Sequence, residues 1–268
     1  MADKIAILGA GMMGGAITKS LIKNGYKGNI TVTDCAPERL KEMQVIGACT
    51  TEDNCKAASD ADIIFICVKP GDIERLLKEV SNAIKDKIVI SIAATLPLSY
   101  LKKIVPEAKF VRVMPNLAIL VQESYTAYCC ADNVTINDKV RVTTLLNMMG
   151  KSEEVDEKYM DAITGLSGSG PGYLAIIAEG MLYGGLKVGL PRNIALNAAA
   201  QTMLGTAKLI LELQETPAKI KDMVTTPGGT TIEAIYALES SPIRQSLIKA
   251  IEEATAKSQK IREKICKN

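Results

Sequence analysis

Short apolar runs alternate with stretches of helical period through the first half of this chain. Lys4-Ile5-Ala6-Ile7-Leu8 is apolar after its first residue, as expected of a strand buried on both faces. Ile17, Leu21 and Ile22 then share one face of a helix that ends near Asn24, and Ile30 to Thr33 is the next apolar run. The pattern repeats with Ile63 to Val68, a helix from about Asp72 to Ile84, Ile88 to Ala93, a short helix, and Phe110 to Met114. Tyr125 to Cys130, a helix from about Thr135 to Met149 and a short strand near Glu154-Val155 close the series. This alternation predicts an α/β fold built on a doubly wound parallel sheet.

From Glu157 onward the strand signal disappears and helical period takes over, so the expected domains are 1–156 and an all-α segment, 157–268. Pro191, Pro217 and Pro242 fall where first helical turns tolerate proline, with Thr216 and Ser241 placed to cap the last two. Ile243, Leu247, Ile251, Ala254, Ser258, Ile261 and Ile265 trace one face of a long final helix. Alanine and glycine crowd 175–190 and 195–207, which suits close packing of helices within a subunit or between subunits.

Two glycine-rich breaks interrupt the helical half. Leu166-Ser167-Gly168-Ser169-Gly170-Pro171 lies between apolar helices, with Pro171 placed to open the second, so it reads as a loop shaped to touch a ligand rather than as a linker. Thr225-Thr226-Pro227-Gly228-Gly229-Thr230-Thr231-Ile232-Glu233 precedes Ile235 and Leu238 at helical spacing, and Thr230 with Glu233 has the spacing of a capping box. The free N–H groups and dipole of such a helix start attract an anion, and a small carboxylate fits.

Gly9-Ala10-Gly11-Met12-Met13-Gly14 follows Leu8 directly as an uninterrupted G-x-G-x-x-G between a strand and a helix. Its first glycine permits the tight turn, the second lets backbone approach a pyrophosphate, and the third lets the helix pack on the strand. Asp34 falls at the end of the next strand, where an acidic side chain takes the ribose hydroxyls of a dinucleotide. Residues 1–156 are therefore expected to be a dinucleotide-binding Rossmann domain. Ligands in such sheets sit beyond the strand ends, which nominates Lys69-Pro70, Ala93-Ala94 and Pro115-Asn116.

Charge and cysteine content narrow the partners. A net charge of +2, mixed in sign throughout, gives no basic patch for nucleic acid. No signal-peptide pattern is seen and no apolar run approaches the roughly 18 residues of a membrane span, so a cytoplasmic protein with small-molecule partners is expected. The odd number of cysteines (Cys35, Cys49, Cys55, Cys67, Cys129, Cys130 and Cys266), with no C-x-x-C pair, reads as scattered buried thiols and not as disulfides or a zinc site. Histidine is absent, so no metal is expected and any acid–base step must run without imidazole.

Together, Gly9 to Gly14, Val68-Lys69-Pro70, Met114-Pro115-Asn116, Thr164 to Pro171, Gly189-Leu190-Pro191-Arg192 and Asp222 to Thr231 resemble pyrroline-5-carboxylate reductase from about residue 3 to 262. The resemblance implies reduction of 1-pyrroline-5-carboxylate to L-proline by NADH or NADPH, in a homodimer or higher homo-oligomer joined through the helical domain. It also implies a catalytic Thr231 bonded to the ring nitrogen, with Gly228, Gly229 and Thr230 holding the substrate carboxylate. Ser169 and Gly170 then lie near substrate and nicotinamide and Asn54 and Lys69 on the cofactor side, where the reading of the glycine loop and the strand ends also puts Leu8, Gly9 to Gly14, Asp34, Val68, Pro70, Ala93, Ala94 and Asn116.

The chain departs from the family pattern at Leu117-Ala118-Ile119, which is bulkier, and at Asp34, whose charge repels a 2′-phosphate and inclines the cofactor toward NADH. One alternative is a related imine or β-hydroxyacid reductase with Lys69 or a helix residue as the catalytic acid. Another is a non-catalytic nucleotide sensor, which has no need of a carboxylate site.

Overall fold

The computed structural model describes residues 2–267, with side chains through Ile265. By its contacts the chain divides into two compact units: one runs to Ser169 and takes up the chain again from Ile251, and the other is Gly170–Ala250. Composition changes at Glu157, whereas packing changes only at Gly170, because residues 157–169 pack with the sheet.

The first unit strings together β1 (Ile5–Leu8), α1 (Met12–Lys23), β2 (Ile30–Thr33), α2 (Pro37–Val45), β3 (Cys49–Thr51), α3 (Asn54–Asp60) and β4 (Ile63–Ile66). It continues with α4 (Ile73–Val80), β5 (Ile88–Ser91), α5 (Leu98–Ile104), β6 (Lys109–Met114), β7 (Ser124–Cys130), α6 (Ile136–Asn147) and β8 (Gly150–Glu154). Among the described residues these eight strands form one sheet in the order β3-β2-β1-β4-β5-β6-β7-β8. Pairing is parallel from β3 through β6, and β7 then runs antiparallel to β6 with β8 parallel to it.

The α/β class is as the alternation predicts, with a reversed edge pair. α2, β3 and α3 are not foreshadowed by the apolar pattern, because β3 is only Cys49-Thr50-Thr51 at the sheet edge. Every residue of β1, β4 and β5 is buried, and a fully buried Ile or Leu contributes about 1.5–3 kcal/mol. The register Leu8↔Ile66 sets the ends of β1 and β4 side by side, at the point where the strand order reverses.

After β8 a 3₁₀ turn, Glu157–Tyr159, leads into α7 (Met160–Ile163) and a π-helical turn, Thr164–Gly168. The second unit holds α8 (Gly170–Lys187), α9 (Arg192–Leu213), α10 (Pro217–Met223) and α11 (Thr230–Glu239), followed by the long α12 (Ile243–Lys267). α8 stops at Gly189, whose φ of +93° favours glycine, and at Gly185 a side chain would stand 2.8 Å from the Ala195 Cβ. That glycine is what lets α8 and α9 approach.

Thr216 caps α10 by accepting the Lys219 N–H at 3.3 Å, as expected. The Ser241 cap does not form, since that hydroxyl instead donates back to the Leu238 carbonyl at 2.7 Å. By length and composition α9 is the one helix among the described residues long and apolar enough to cross a membrane. Its charges, Arg192, Lys208 and Glu212, lie towards its two ends, so hydropathy stays high between them without a continuous apolar run. The thiols are corrected too. Cys35 and Cys49 are exposed, Cys129 is buried, and the Cys266 side chain lies outside the described residues.

Candidate active site

The glycine loop at the β1 end is shaped by what surrounds it. Gly9 has φ +106°, and a Cβ there would stand 2.9 Å from the Cys67 carbonyl carbon and oxygen and 3.2 Å from Val68. A Cβ on Gly14 would come within 1.9 Å of the Gly9 carbonyl oxygen. Gly11 is different: only Arg39 Nη1, at 3.8 Å, comes near, and no side chain caps α1. An open glycine before an uncapped twelve-residue helix, with exposed Met12 and half-buried Met13 beside it, fits a dinucleotide pyrophosphate. Leu8 and Ala10 are buried behind this loop.

Asp34, just beyond β2, is tied into the same loop. Its Oδ2 accepts the Ala10 N–H at 2.8 Å, its Oδ1 accepts the Ala36 N–H at 2.9 Å, and Arg39 Nη1 lies 3.4 Å from Oδ2. Burial alone raises the pKa of Asp34. The N–H groups of Ala36 and Ala10, with Arg39, outweigh it and hold the carboxyl below its ordinary value, so the charge persists beside the loop.

The other residues expected on the cofactor side lie along the strand ends of the first unit. Asn54 opens α3, where its Oδ1 accepts from the Thr33 hydroxyl at 2.6 Å and its Nδ2 donates to Glu79 at 3.0 Å. Lys69 is exposed beyond β4, and Pro70 starts a 3₁₀ turn. Ala93 is buried and Ala94 half-buried beyond β5. Asn116 is held on both ends of its amide: Oδ1 accepts from Ala118 at 3.0 Å, and Nδ2 donates to the Ser167 carbonyl and hydroxyl at 3.2 and 3.3 Å. The bulky Leu117-Ala118-Ile119 departure forms the start of a 3₁₀ turn, with Ile119 buried in the core.

The π turn presents the serines. Gly168 sits over Met114, where a Cβ would stand 3.2 Å from its sulfur, and the Ser169 N–H and hydroxyl both donate to the Thr164 carbonyl at 3.0 and 3.2 Å. π turns of this kind occur frequently at functional sites. Gly170 has open space on its Cβ side and begins the second unit.

In the second unit, Gly228 has φ +67° and the Gly229 N–H donates to the Thr226 carbonyl at 3.0 Å. This turn makes Gly229 the N-cap and Thr230 the first helical residue of α11, with no side-chain cap. The expected capping box is therefore absent, since Glu233 lies one position too far along the helix to return to it. The consequence is a barer helix start than expected. Thr230 is exposed and Thr231 half-buried at its first turn. Among the described residues no cluster of three metal-ligating side chains occurs.

Sequence reasoning did not single out Arg112. Its signal was available, as a lone cation within the apolar run Phe110-Val111-Arg112-Val113-Met114.

An open glycine loop at the switch point of the sheet and a charged carboxylate beyond β2 are the marks of a dinucleotide-binding unit of the nicotinamide-dependent oxidoreductase class. The family model described as NADP oxidoreductase, coenzyme F420-dependent, matches residues 4–95, and that for pyrroline-5-carboxylate reductase dimerisation matches residues 157–261. The chain is 38% identical to a pyrroline-5-carboxylate reductase of Methanosarcina acetivorans, over 98% of this chain and 99% of that one. It superposes on the structure of a pyrroline-5-carboxylate reductase from Coxiella burnetii with a TM-score of 0.90 at 31% identity, covering 97% and 98% of the two chains. The structure of the Plasmodium falciparum pyrroline carboxylate reductase with NADP bound gives 0.88 at 30% identity, again over 97% and 98%. The chain belongs to the pyrroline-5-carboxylate reductase family, and reduction of pyrroline-5-carboxylate is its activity.

Proposed function

We propose that the chain reduces 1-pyrroline-5-carboxylate to L-proline with NADH as the preferred donor, in a cytoplasmic homodimer or larger homo-oligomer. The observation that carries the cofactor reading is Asp34, charged and fixed against the glycine loop. A 2′-phosphate at the ribose would meet that anion, whereas a free 2′-hydroxyl would donate to it. Arg39 offsets part of the repulsion, and its half-exposed side chain leaves the offset incomplete.

The nicotinamide supplies hydride, and the protein's work is positioning. Leu8, the loop Gly9 to Gly14, Asn54, Val68, Lys69, Pro70, Ala93, Ala94 and Asn116 form the cofactor side. Gly228, Gly229 and Thr230 form the seat of the substrate carboxylate. The Gly229 N–H is taken by the Thr226 carbonyl and fixes the turn, which leaves the N–H groups of Gly228 and of the first turn of α11 to the anion, each charge-assisted bond contributing about 1.5–3 kcal/mol. Thr231 orients the ring nitrogen, and Ser169 and Gly170 border the substrate. A substrate bound as iminium carries its own proton, so neither imidazole nor a strong side-chain acid is required and Lys69 need not act as one. The bare start of α11 supports this reading, because its free N–H groups remain available to an anion.

Apolar side chains left exposed on the second unit, Ile176 and Leu211 among them, support assembly of two copies through residues 157–268. A second copy, rather than a membrane, then covers α9. Sedimentation of the intact chain checks the assembly, and a monomer at working concentration would contradict it. Turnover of pyrroline-5-carboxylate with each cofactor checks the cofactor reading, and a clear preference for NADPH would overturn it.

A further inference from the structure

Arg112 heads the large side chains that are fully buried, and it carries a permanent charge in an apolar strand. Its Nη2 donates to the Ala94 carbonyl at 2.5 Å and its Nη1 to Glu157 Oε1 at 3.0 Å. The same Glu157 oxygen accepts the Leu98 N–H at 2.7 Å. One ion pair therefore gathers the loop after β5, the first turn of α5 and the 3₁₀ turn that leads through α7 into the π turn. Stability alone does not call for such a pair, because apolar groups of equal volume commonly fill a core as well or better. They cannot hold a carbonyl in one direction.

We propose that Arg112 and Glu157 are positioning residues for hydride transfer, fixing the Ala93-Ala94 segment and the Thr164–Ser169 turn on one frame. Arg112 leads along β6 to Asn116, which bonds Ser167, while Glu157 leads along the chain to the same turn. The cofactor-side loop and the serine turn are thus tethered at both ends of one short circuit. This rests on the reading of Ala94 and Ser169 as site residues, so that reading receives its own control.

Glu157 is the residue to change, because its side chain is 32% exposed while that of Arg112 is fully buried. In the intact enzyme, Glu157→Ala is expected to lower kcat about ten- to a hundredfold, the scale of one lost charge-assisted contact, with the cofactor KM within about threefold. The isotope effect with 4-deuterated NADH should rise as hydride transfer becomes more limiting. Glu157→Gln keeps the acceptor oxygen and should recover most of kcat. Arg112→Met with Glu157→Met fills the volume without charge, and is expected to fold and yet remain slow.

A Glu157→Ala enzyme within twofold of wild type, a loss that glutamine does not rescue, a fast double-methionine variant, or one that fails to fold would each overturn the proposal. Ala94→Val is the control. If it leaves cofactor kinetics unchanged, the site reading itself fails. If it impairs them while Glu157→Ala does not, only the positioning pair fails.

Discussion

Replacing Asp34 with serine tests the cofactor reading through a ratio in which the unwanted consequences cancel. The substitution removes a carboxylate that accepts from Ala10 and Ala36, so the glycine loop is loosened. That loosening acts on the pyrophosphate, which NADH and NADPH share, and affects both alike. The 2′-phosphate is where the two differ. At a separation of about 5 Å and an effective dielectric near 20, two unit charges repel by about 3 kcal/mol. Arg39, 3.4 Å from the carboxylate, and salt at ordinary ionic strength reduce this to about 1–2 kcal/mol. Wild type should therefore favour NADH by about five- to thirtyfold in kcat/KM, and Asp34→Ser should shift the ratio toward NADPH by most of that factor. Arg39→Ala should move it the other way. Steady-state kcat/KM with both cofactors at fixed ionic strength measures the effect, and repeating it at high salt should shrink the wild-type preference. An unchanged ratio in Asp34→Ser, or a wild type that prefers NADPH with Arg39→Ala abolishing that preference, refutes the reasoning.

Thr231→Ala should lower kcat/KM by roughly ten- to a hundredfold, the worth of one hydrogen bond to a charged group, and Thr231→Ser should recover most of it. A pH–rate profile in which a neutral pKa disappears with the mutation would instead assign the hydroxyl to a proton relay. Gly14→Ala should cost about 1–3 kcal/mol or more and weaken cofactor binding, because its Cβ would stand 1.9 Å from the Gly9 carbonyl oxygen; a thermal melt and a cofactor titration read both. Burial raises the pKa of Asp138, but Lys109 and Thr135 outweigh it and hold the folded-state value below the ordinary one. The unfolded chain therefore takes up this proton first, so the stabilisation is complete above the unfolded value near pH 4 and lost as pH falls through the folded one. Urea melts from pH 7 to 3 should show that loss, and Asp138→Asn should flatten it while lowering stability at pH 7.

Where a local rule and the tertiary outcome coincide, the sequence alone was sufficient. Short apolar runs rich in β-branched residues, such as Ile63 to Ile66, alternate with helical stretches and read as strands buried on both faces, and the glycines at 9, 11 and 14 suit the tight turn between a strand and a helix, so sheet, loop and helical second half were legible in one dimension. Asp34 could be placed at the end of β2 by counting. Its bonds to Ala10 and Arg39 could not, because they join residues that only the folded chain brings together. Cys49-Thr50-Thr51 has no strand pattern, and becomes one because β2 offers it an edge to pair with. The capping box failed for a related reason: Thr230 and Glu233 have the right spacing, but the Thr226 carbonyl fixes Gly229 as the cap and shifts the register by one. Arg112 shows the same division most plainly. The sequence marks it as a charge in an apolar strand, while the partners that make its burial tolerable, Ala94 and Glu157, lie 18 and 45 residues away and are chosen by the fold. Periodicity reports which surface a residue seeks, and hydrogen-bond partners are decided by long-range packing.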